Sequence, residues 1–365
     1  MNFAFTDEQI ELRDGVRAYL EGTHGAEVLR RLDTEGGRDP AIWRGLVEMG
    51  LTALIVPEAQ GGLGLGLVEA VLVAVELGRA DVSEPVADSA LVAPRLIADE
   101  AQLAAIAAGE LKVALAHPVN PWVADADQAG VVLGGSATGE RLESADPLRR
   151  LFAVGSIDDQ HTPRHPGLEP GSIVPQAQQL EPLASPLPPD GPRLKAGVTE
   201  GLGRMLDHAA LIAAAQLVGA GERMLTLATD YAKDREQFGQ AIGGFQAIKH
   251  HLASVAVALE FARPVLWRAA YALENGHARA GVHVSHAKLA ATDAAVQAAE
   301  TAIQVHGAMG YTYEVDLHYW MKRAWALAGA WGDRAFHLRR LDDAVIGGAM
   351  AIGPDQSFET GMTHG

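Results

Sequence analysis

Between Asp207 and Gln246 the chain passes through two textures that few folds can accommodate together. Ala209 to Val218 is apolar and holds no charged residue. A compact polar knot follows, Asp234-Arg235-Glu236-Gln237-Phe238-Gly239-Gln240-Ala241-Ile242-Gly243-Gly244-Phe245-Gln246. Helical spacing then resumes, with Ile248, Leu252, Val255 and Leu259 on one face. This order predicts two buried helices joined by a polar turn, with the rigid frame carrying a binding surface at one end. Arg235 offers a planar fork of donors to a phosphate or carboxylate. Phe238 and Phe245 can pack against a flat ring, and the glycines let a backbone approach a ligand closely. A plain helix-helix turn with a solvated arginine fits the same residues equally well.

The rest of the chain sorts into regions by texture. Thr6-Asp7-Glu8-Gln9 is spaced as a capping box, and Ile10, Leu12, Val16 and Leu20 mark the helix it starts. Trp43 to Met49 and Val68 to Leu77 carry further helical patterns, and Leu91 to Ala108 is Ala- and Leu-rich. Residues 1–110 therefore read as a helical domain. The run Gly61 to Gly66 fits neither a dinucleotide fingerprint nor a P-loop, and reads as a flexible lead into the next helix. Short apolar runs at Val113, Ala129 and Leu151 read as strands, and Pro163 to Pro192 is rich in turn residues. Residues 111–195 thus read as a small β domain. Helical periodicity returns over 196–352 as in an antiparallel bundle, and 353–365 is a polar tail. The expected class is mainly α with a small β domain.

A second polar knot, Gln304-Val305-His306-Gly307-Ala308-Met309-Gly310-Tyr311-Thr312-Tyr313-Glu314, ends a long Ala-rich helix. Gln304 and the backbone amides around Gly307 can grip an anion or a ribose. A glycine C-cap leading into a loop is the plainer alternative.

Composition excludes several function classes. The formal charge of −17 opposes general binding to nucleic acid or anionic lipid. The chain has no cysteine, so disulfides, Cys-zinc sites, iron–sulfur clusters and Cys nucleophiles are excluded. His283 and His286 stand three apart without a third ligand at a fixed offset, so no metal is expected. The first residues lack a basic region followed by an apolar core, and a cytoplasmic protein is expected.

Taken in order, these motifs resemble a family. Arg235-Glu-Gln-Phe-Gly-Gln-Ala-Ile-Gly-Gly-Phe-Gln and Gln304-Val-His-Gly-Ala-Met-Gly-Tyr-Thr resemble the two C-terminal signatures of the acyl-CoA dehydrogenase flavoproteins. Phe5-Thr-Asp-Glu-Gln, Met49-Gly-Leu-Thr-Ala-Leu-Ile-Val-Pro-Glu and Glu76-Leu-Gly-Arg-Ala resemble its N-terminal landmarks. The resemblance implies an N-terminal helical domain, a central β domain and a C-terminal four-helix bundle. It implies FAD as cofactor and α,β-desaturation of an acyl-CoA thioester. It assigns Arg235 to the FAD pyrophosphate of a neighbouring subunit. Phe238, Ile242, Phe245 and Ile248 fall to the adenosine side, Gln237 counts among the cofactor-binding residues, and Gln304, Val305, Gly307 and Ala308 fall to the second cofactor loop. An oligomer and an electron-transfer flavoprotein as electron acceptor are implied with it.

The sequence departs from the family pattern where proton abstraction is expected. Counting from Met321-Lys322-Arg323, the usual glutamate position holds Trp331, followed by Gly332 and Asp333. The alternative position, on the helix before Arg235, falls near Ala210. No Thr-Glu-x-x-x-Gly-Ser-Asp stretch occurs in 111–195. This combination resembles one subunit of the heteromeric α2β2 acyl-CoA dehydrogenases of bacterial sterol side-chain degradation, with the base in a second, homologous subunit. Two alternatives stand beside it: a homomeric enzyme with Asp333 as a displaced base, and a non-catalytic scaffold subunit.

Overall fold

The computed structural model describes residues 5–35, 38–116, 123–134, 196–348 and 350. Ten helices stand among the described residues: α1 (Asp7–Thr23), α2 (Ala26–Glu35), α3 (Pro40–Glu48), α4 (Leu67–Arg79), α5 (Glu100–Ala107), α6 (Ala196–Asp234), α7 (Gln246–Glu274), α8 (Ala280–His306), α9 (Leu317–Gly329) and α10 (Arg334–Val345). Most of β domain 111–195, including the run at Leu151 and the Pro-rich stretch, lies outside the described residues, as does tail 353–365. Within it, β1 (Val113–Ala116) and β2 (Val131–Gly134) pair in parallel, Val113 opposite Val131.

The predicted capping box forms: Gln9 N donates to Thr6 Oγ1 at 3.2 Å, and Thr6 N to Gln9 Oε1 at 3.0 Å. The bundle of α6, α7, α8 and α9 shares one apolar core with α4 of the N-terminal region. The apolar run Ala209–Val218 lies at its centre, and Ala210, Leu211, Leu217 and Val218 are fully buried. From Gly203 to Asp234 this helix is long and apolar enough to cross a membrane, but its apolar window is mostly buried within the fold.

Helix α4 crosses α6 in backbone contact. A Cβ on Gly219 would lie 1.8 Å from the Val75 carbonyl oxygen, and one on Gly78 would lie 2.1 Å from that of Gln216. Only hydrogen fits at these two points, and the close crossing fixes the faces of α6 that carry Ala213 and Gln216. Side chains tie the two helical regions further. Trp320 Nε1 of α9 donates to the Arg79 carbonyl of α4 at 2.9 Å and Arg323 Nε donates to Asp81 at 2.7 Å, while within the N-terminal region Arg17 of α1 grips buried Glu76 of α4 at 2.9 and 2.7 Å.

Two local expectations change. The glycine run 61–66 is a tied-down turn, because Leu63, Gly64 and Leu65 amides donate to the Ala53, Val56 and Leu54 carbonyls. The stretch after Leu91 is broken: a π-helical segment, Ala87–Val92, runs into a single 3-10 turn at Ala93–Arg95, and α5 begins only at Glu100. Pro94 has no N–H to continue a helical ladder.

Candidate functional site

The first polar knot folds as a small hairpin at the end of α6. Strands β3 (Glu236–Gln237) and β4 (Gln240–Ala241) pair antiparallel around Phe238-Gly239, which have φ of 54° and 82°. Two positive φ values in a two-residue loop are what a hairpin turn of this twist requires. The left-handed backbone throws the Phe238 ring outward, where it is 93 % exposed, edge-on to Phe245 at 6.2 Å. Arg235 is also exposed, and its guanidinium carries no ion pair among the described residues. Gln237 is exposed and bonds back to the Glu236 carbonyl at 2.7 Å. Ile242 and Ile248 instead pack partly on the core, so they brace the hairpin from beneath.

The second knot lies at the same end of the bundle. His306 closes α8 and stacks on Tyr231, in the last turns of α6, with ring centroids 4.3 Å apart. Tyr231 also carries the Arg235 amide on its carbonyl at 2.9 Å, so one residue links the two knots. Gln304, Gly307 and Ala308 are exposed, and Gly307 turns the chain with φ 63°. Val305 is buried, so its side chain belongs to the core. An exposed guanidinium with no ion pair among the described residues, a projecting aromatic ring and the exposed Gln304 side chain form a donor set suited to a pyrophosphate and its attached nucleoside.

A cavity of about 300 Å³ opens elsewhere, between the segment 82–88, Leu115 of β1, Ala124-Asp125, α6, α9 and Ala330-Trp331. Of the two positions where the family resemblance puts the proton-abstracting carboxylate, one is on its wall. Trp331 lines it directly. Ala210 is buried behind the wall that Ala209 and Ala213 supply. Asp333 does not line it. That side chain is exposed and caps α10, accepting the Phe336 amide at 2.7 Å. A carboxylate committed to a helix N-terminus is pinned by the donors it satisfies, so Asp333 is a capping residue in this fold.

The turn at Trp331 is braced from behind. Trp331 has φ 57°, a costly conformation for a bulky residue, and Gly332 has φ 100°. The Trp331 carbonyl accepts from His337 Nε2 at 3.0 Å. A carbonyl only accepts, so Nε2 carries the proton and Nδ1 accepts from the Ser285 hydroxyl at 3.1 Å. Burial, with the nearby Lys288 charge, pushes His337 down to about 4 and keeps it neutral. Lys288 is itself 1 % exposed and donates to the Leu327 and Ala328 carbonyls at 2.8 and 3.1 Å, closing the end of α9. Burial brings its ammonium down to about 8.

The cavity also holds carboxyls that the motifs gave no reason to pick. Glu84, Asp88 and Asp125 all line it, with Arg323 and Gln216. Asp125 pairs with Arg38, which also reaches the Ser83 carbonyl, and Glu84 pairs with Lys112 at 3.1 Å. Arg323 is held by Asp81 at 2.7 Å and by the Val82 carbonyl at 2.6 Å. Asp88 is pushed up to about 7, chiefly by burial, then by the like charge of Asp125; the Leu115 amide opposes this in part. The only trace of Asp88 in the sequence is one acid inside the apolar stretch Val86 to Pro94.

Comparison with known proteins agrees with this architecture. Residues 6–105 match the model of the acyl-CoA dehydrogenase N-terminal domain, and residues 199–346 that of the C-terminal domain. The acyl-CoA dehydrogenase IpdE2 of Mycobacterium tuberculosis is 32% identical over 354 residues, covering 93% of this chain and 98% of that protein. Among solved structures, the ChsE4–ChsE5 complex of Mycobacterium tuberculosis superposes with a TM-score of 0.70 at 21% identity, covering 95% of this chain and 99% of the other. The steroid ACAD Tcur3481–Tcur3483 gives 0.69 at 20%, covering 94% and 99%. With both terminal domains matched and one relative paralleled along nearly its whole length, the chain belongs to the acyl-CoA dehydrogenase family of FAD-dependent oxidoreductases acting on CH–CH donors.

Proposed function

We propose that this chain is one subunit of a heteromeric acyl-CoA dehydrogenase that desaturates an acyl-CoA thioester carrying a bulky, steroid-derived acyl group. The observation that carries the reading is the split between its two ends. The donor set at the bundle end is exposed and uncommitted, as a contact to a neighbour's FAD requires. The two positions expected for the base hold Trp331 and Ala210, neither of which titrates. In this reading Arg235, Gln237 and Phe238, with Gln304, Gly307 and Ala308, hold the nucleotide half of an FAD whose reactive ring is housed by the partner subunit. Ile242, Phe245, Ile248 and Val305 support those loops from within.

Bound FAD supplies the hydride acceptor, and the partner supplies the carboxylate that removes the α-proton. The likeness to IpdE2, and to solved assemblies named as a two-component complex and as a steroid enzyme, supports both the heteromer and the substrate class. An electron-transfer flavoprotein is the proposed acceptor, and the cytoplasm the proposed compartment. Absorbance at the flavin bands tests the assignment. The chain purified alone is expected to be colourless. Co-expressed with a homologous subunit that carries the missing glutamate, it should copurify as a yellow, active complex. A chain that is yellow and turns over by itself refutes the heteromeric reading.

A further inference from the structure

The carboxyls of the 300 Å³ cavity are not equivalent. Asp125 has Arg38, Glu84 has Lys112, and the cavity's own cation, Arg323, is taken by Asp81. Asp88 alone among these acids has no cation among the described residues; the Leu115 backbone amide is its hydrogen-bond donor. It rides on the π-helical segment Ala87–Val92, a backbone irregularity that is frequent at functional sites. Trp331 and the Ala209–Ala213 wall bound the same space and supply no acid, so Asp88 is the acid of this cavity without a paired cation among the described residues.

A second observation points to a ligand. The Glu84 side chain is 1 % exposed, and its Oε1 is buried with no hydrogen-bond partner while Oε2 meets Lys112. A buried acceptor left open costs roughly 1–3 kcal/mol, which a ligand donor at that atom would recover. Ala87, Leu115, Ile212, Leu327 and Trp331 supply apolar walls around it. The cavity therefore suits a compact apolar body that carries a hydroxyl or amide N–H, which is the make-up of an oxygenated acyl group.

We propose that Asp88 is a catalytic proton acceptor in this chain's own cavity, acting on the carbon next to the carbonyl of an acyl thioester. The C–H bond breaks and an O–H bond forms on Asp88. The electron pair moves into the carbonyl as an enolate, whose oxygen the buried Gln216 amide on the α6 wall can meet. The same carboxyl then returns a proton to that carbon. The cycle is redox-neutral and needs no flavin, so it goes beyond the heteromeric reading and stands or falls separately from it. The charged groups that face the carboxyl are Glu84 and Asp125 from the loops and Arg323 from α9. Strand β1, Val113–Ala116, presents no charged side chain.

Hydrogen–deuterium exchange tests this directly. The full chain, purified alone, is incubated with (4-hydroxycyclohexyl)acetyl-CoA in D₂O, and loss of the α-methylene proton signal is followed by NMR. The wild type is expected to exchange well above the buffer rate, with a half-maximal rate near pH 7. Asp88→Asn should lower the rate at least a hundredfold, within the range that positioned acid–base groups contribute. Asp230→Asn, at an exposed acid of α6 outside the cavity lining, should stay within about threefold. Circular dichroism of each variant excludes loss of fold, and a folded Asp88→Glu variant should retain measurable exchange. Wild-type exchange at the buffer rate, or a folded Asp88→Asn variant exchanging like wild type, overturns the proposal. Flavin content does not enter the readout, so a negative result leaves the test of Arg235 and its cofactor untouched.

Discussion

Replacing Asp88 with asparagine should make the protein more stable, and the gain should grow with pH. The carboxyl's ordinary value is 3.8, and in the fold it is pushed up to about 7. Below about pH 4 both folded and unfolded chains hold the proton, so Asp88 contributes no pH-dependent difference. Between 4 and 7 the unfolded chain releases it while the fold retains it, and folded stability falls as pH rises. At 1.36 kcal/mol for each tenfold, the interval amounts to a ceiling of about 4 kcal/mol above pH 7 and about 1.5–2 kcal/mol at pH 5. Asparagine keeps the shape and the acceptor for the Leu115 amide but carries no titrating proton. The assay is urea denaturation of both proteins at pH 5 and pH 8. With a denaturant slope on the order of 4 kcal/mol/M for a chain of this size, the variant's midpoint should gain on the order of 1 M at pH 8 and less than half of that at pH 5. An equal offset at the two pH values would show that Asp88 ionises as freely in the fold as in water, and would refute its assignment as a protonated acid within the cavity.

Further consequences follow from the same geometry. Arg235→Ala should weaken FAD retention in the complex proposed above by about 10- to 100-fold, the range of a charge-assisted contact; flavin released on gel filtration measures it. Gly332→Ala should destabilise the chain by at least about 2 kcal/mol, because its Cβ would lie 2.5 Å from Phe336 Cδ1 and 2.7 Å from His337 Nε2 at a φ of +100°; an unchanged melting temperature would contradict the structure of that turn. His337 is lowered from 6.5 to about 4, so its contribution is intact above pH 6.5 and is lost as pH falls towards 4, by at most about 3 kcal/mol. The acid arm of the stability profile should flatten in His337→Gln.

Much of this was legible in the residue order, and the parts that were not share a cause. Thr6 and Gln9 act within one turn, so their spacing alone predicts the cap they form. The Arg235 and Gln304 knots are likewise local: each ends a helix whose apolar face identifies it. The glycine run at 61–66 misled because its rigidity comes from the carbonyls of Ala53, Leu54 and Val56, which no local pattern announces. The cavity is the extreme case. Its walls come from residues 82–88, 115, 124–125, 209–216 and 323–331, and no periodicity links them. Asp88 also sits on a π-helical segment, where the 3.6-residue rule used to assign faces does not hold.

That distinction bears on how such a subunit diverges. A cofactor contact built from exposed side chains on a short hairpin can persist whatever happens inside the bundle, since Arg235 and Phe238 touch little of the core. An interior acid has no such independence. At 331 a large ring occupies the turn, and Gly332, the neutral His337 and the Lys288 cap hold it. These residues make an acid at 331 hard to install by one substitution: a glutamate placed there would inherit a left-handed backbone and a neighbouring histidine already committed to the main chain. The proton chemistry proposed for this chain therefore uses a different wall of the cavity, where Asp88 is the acid with no cation among the described residues.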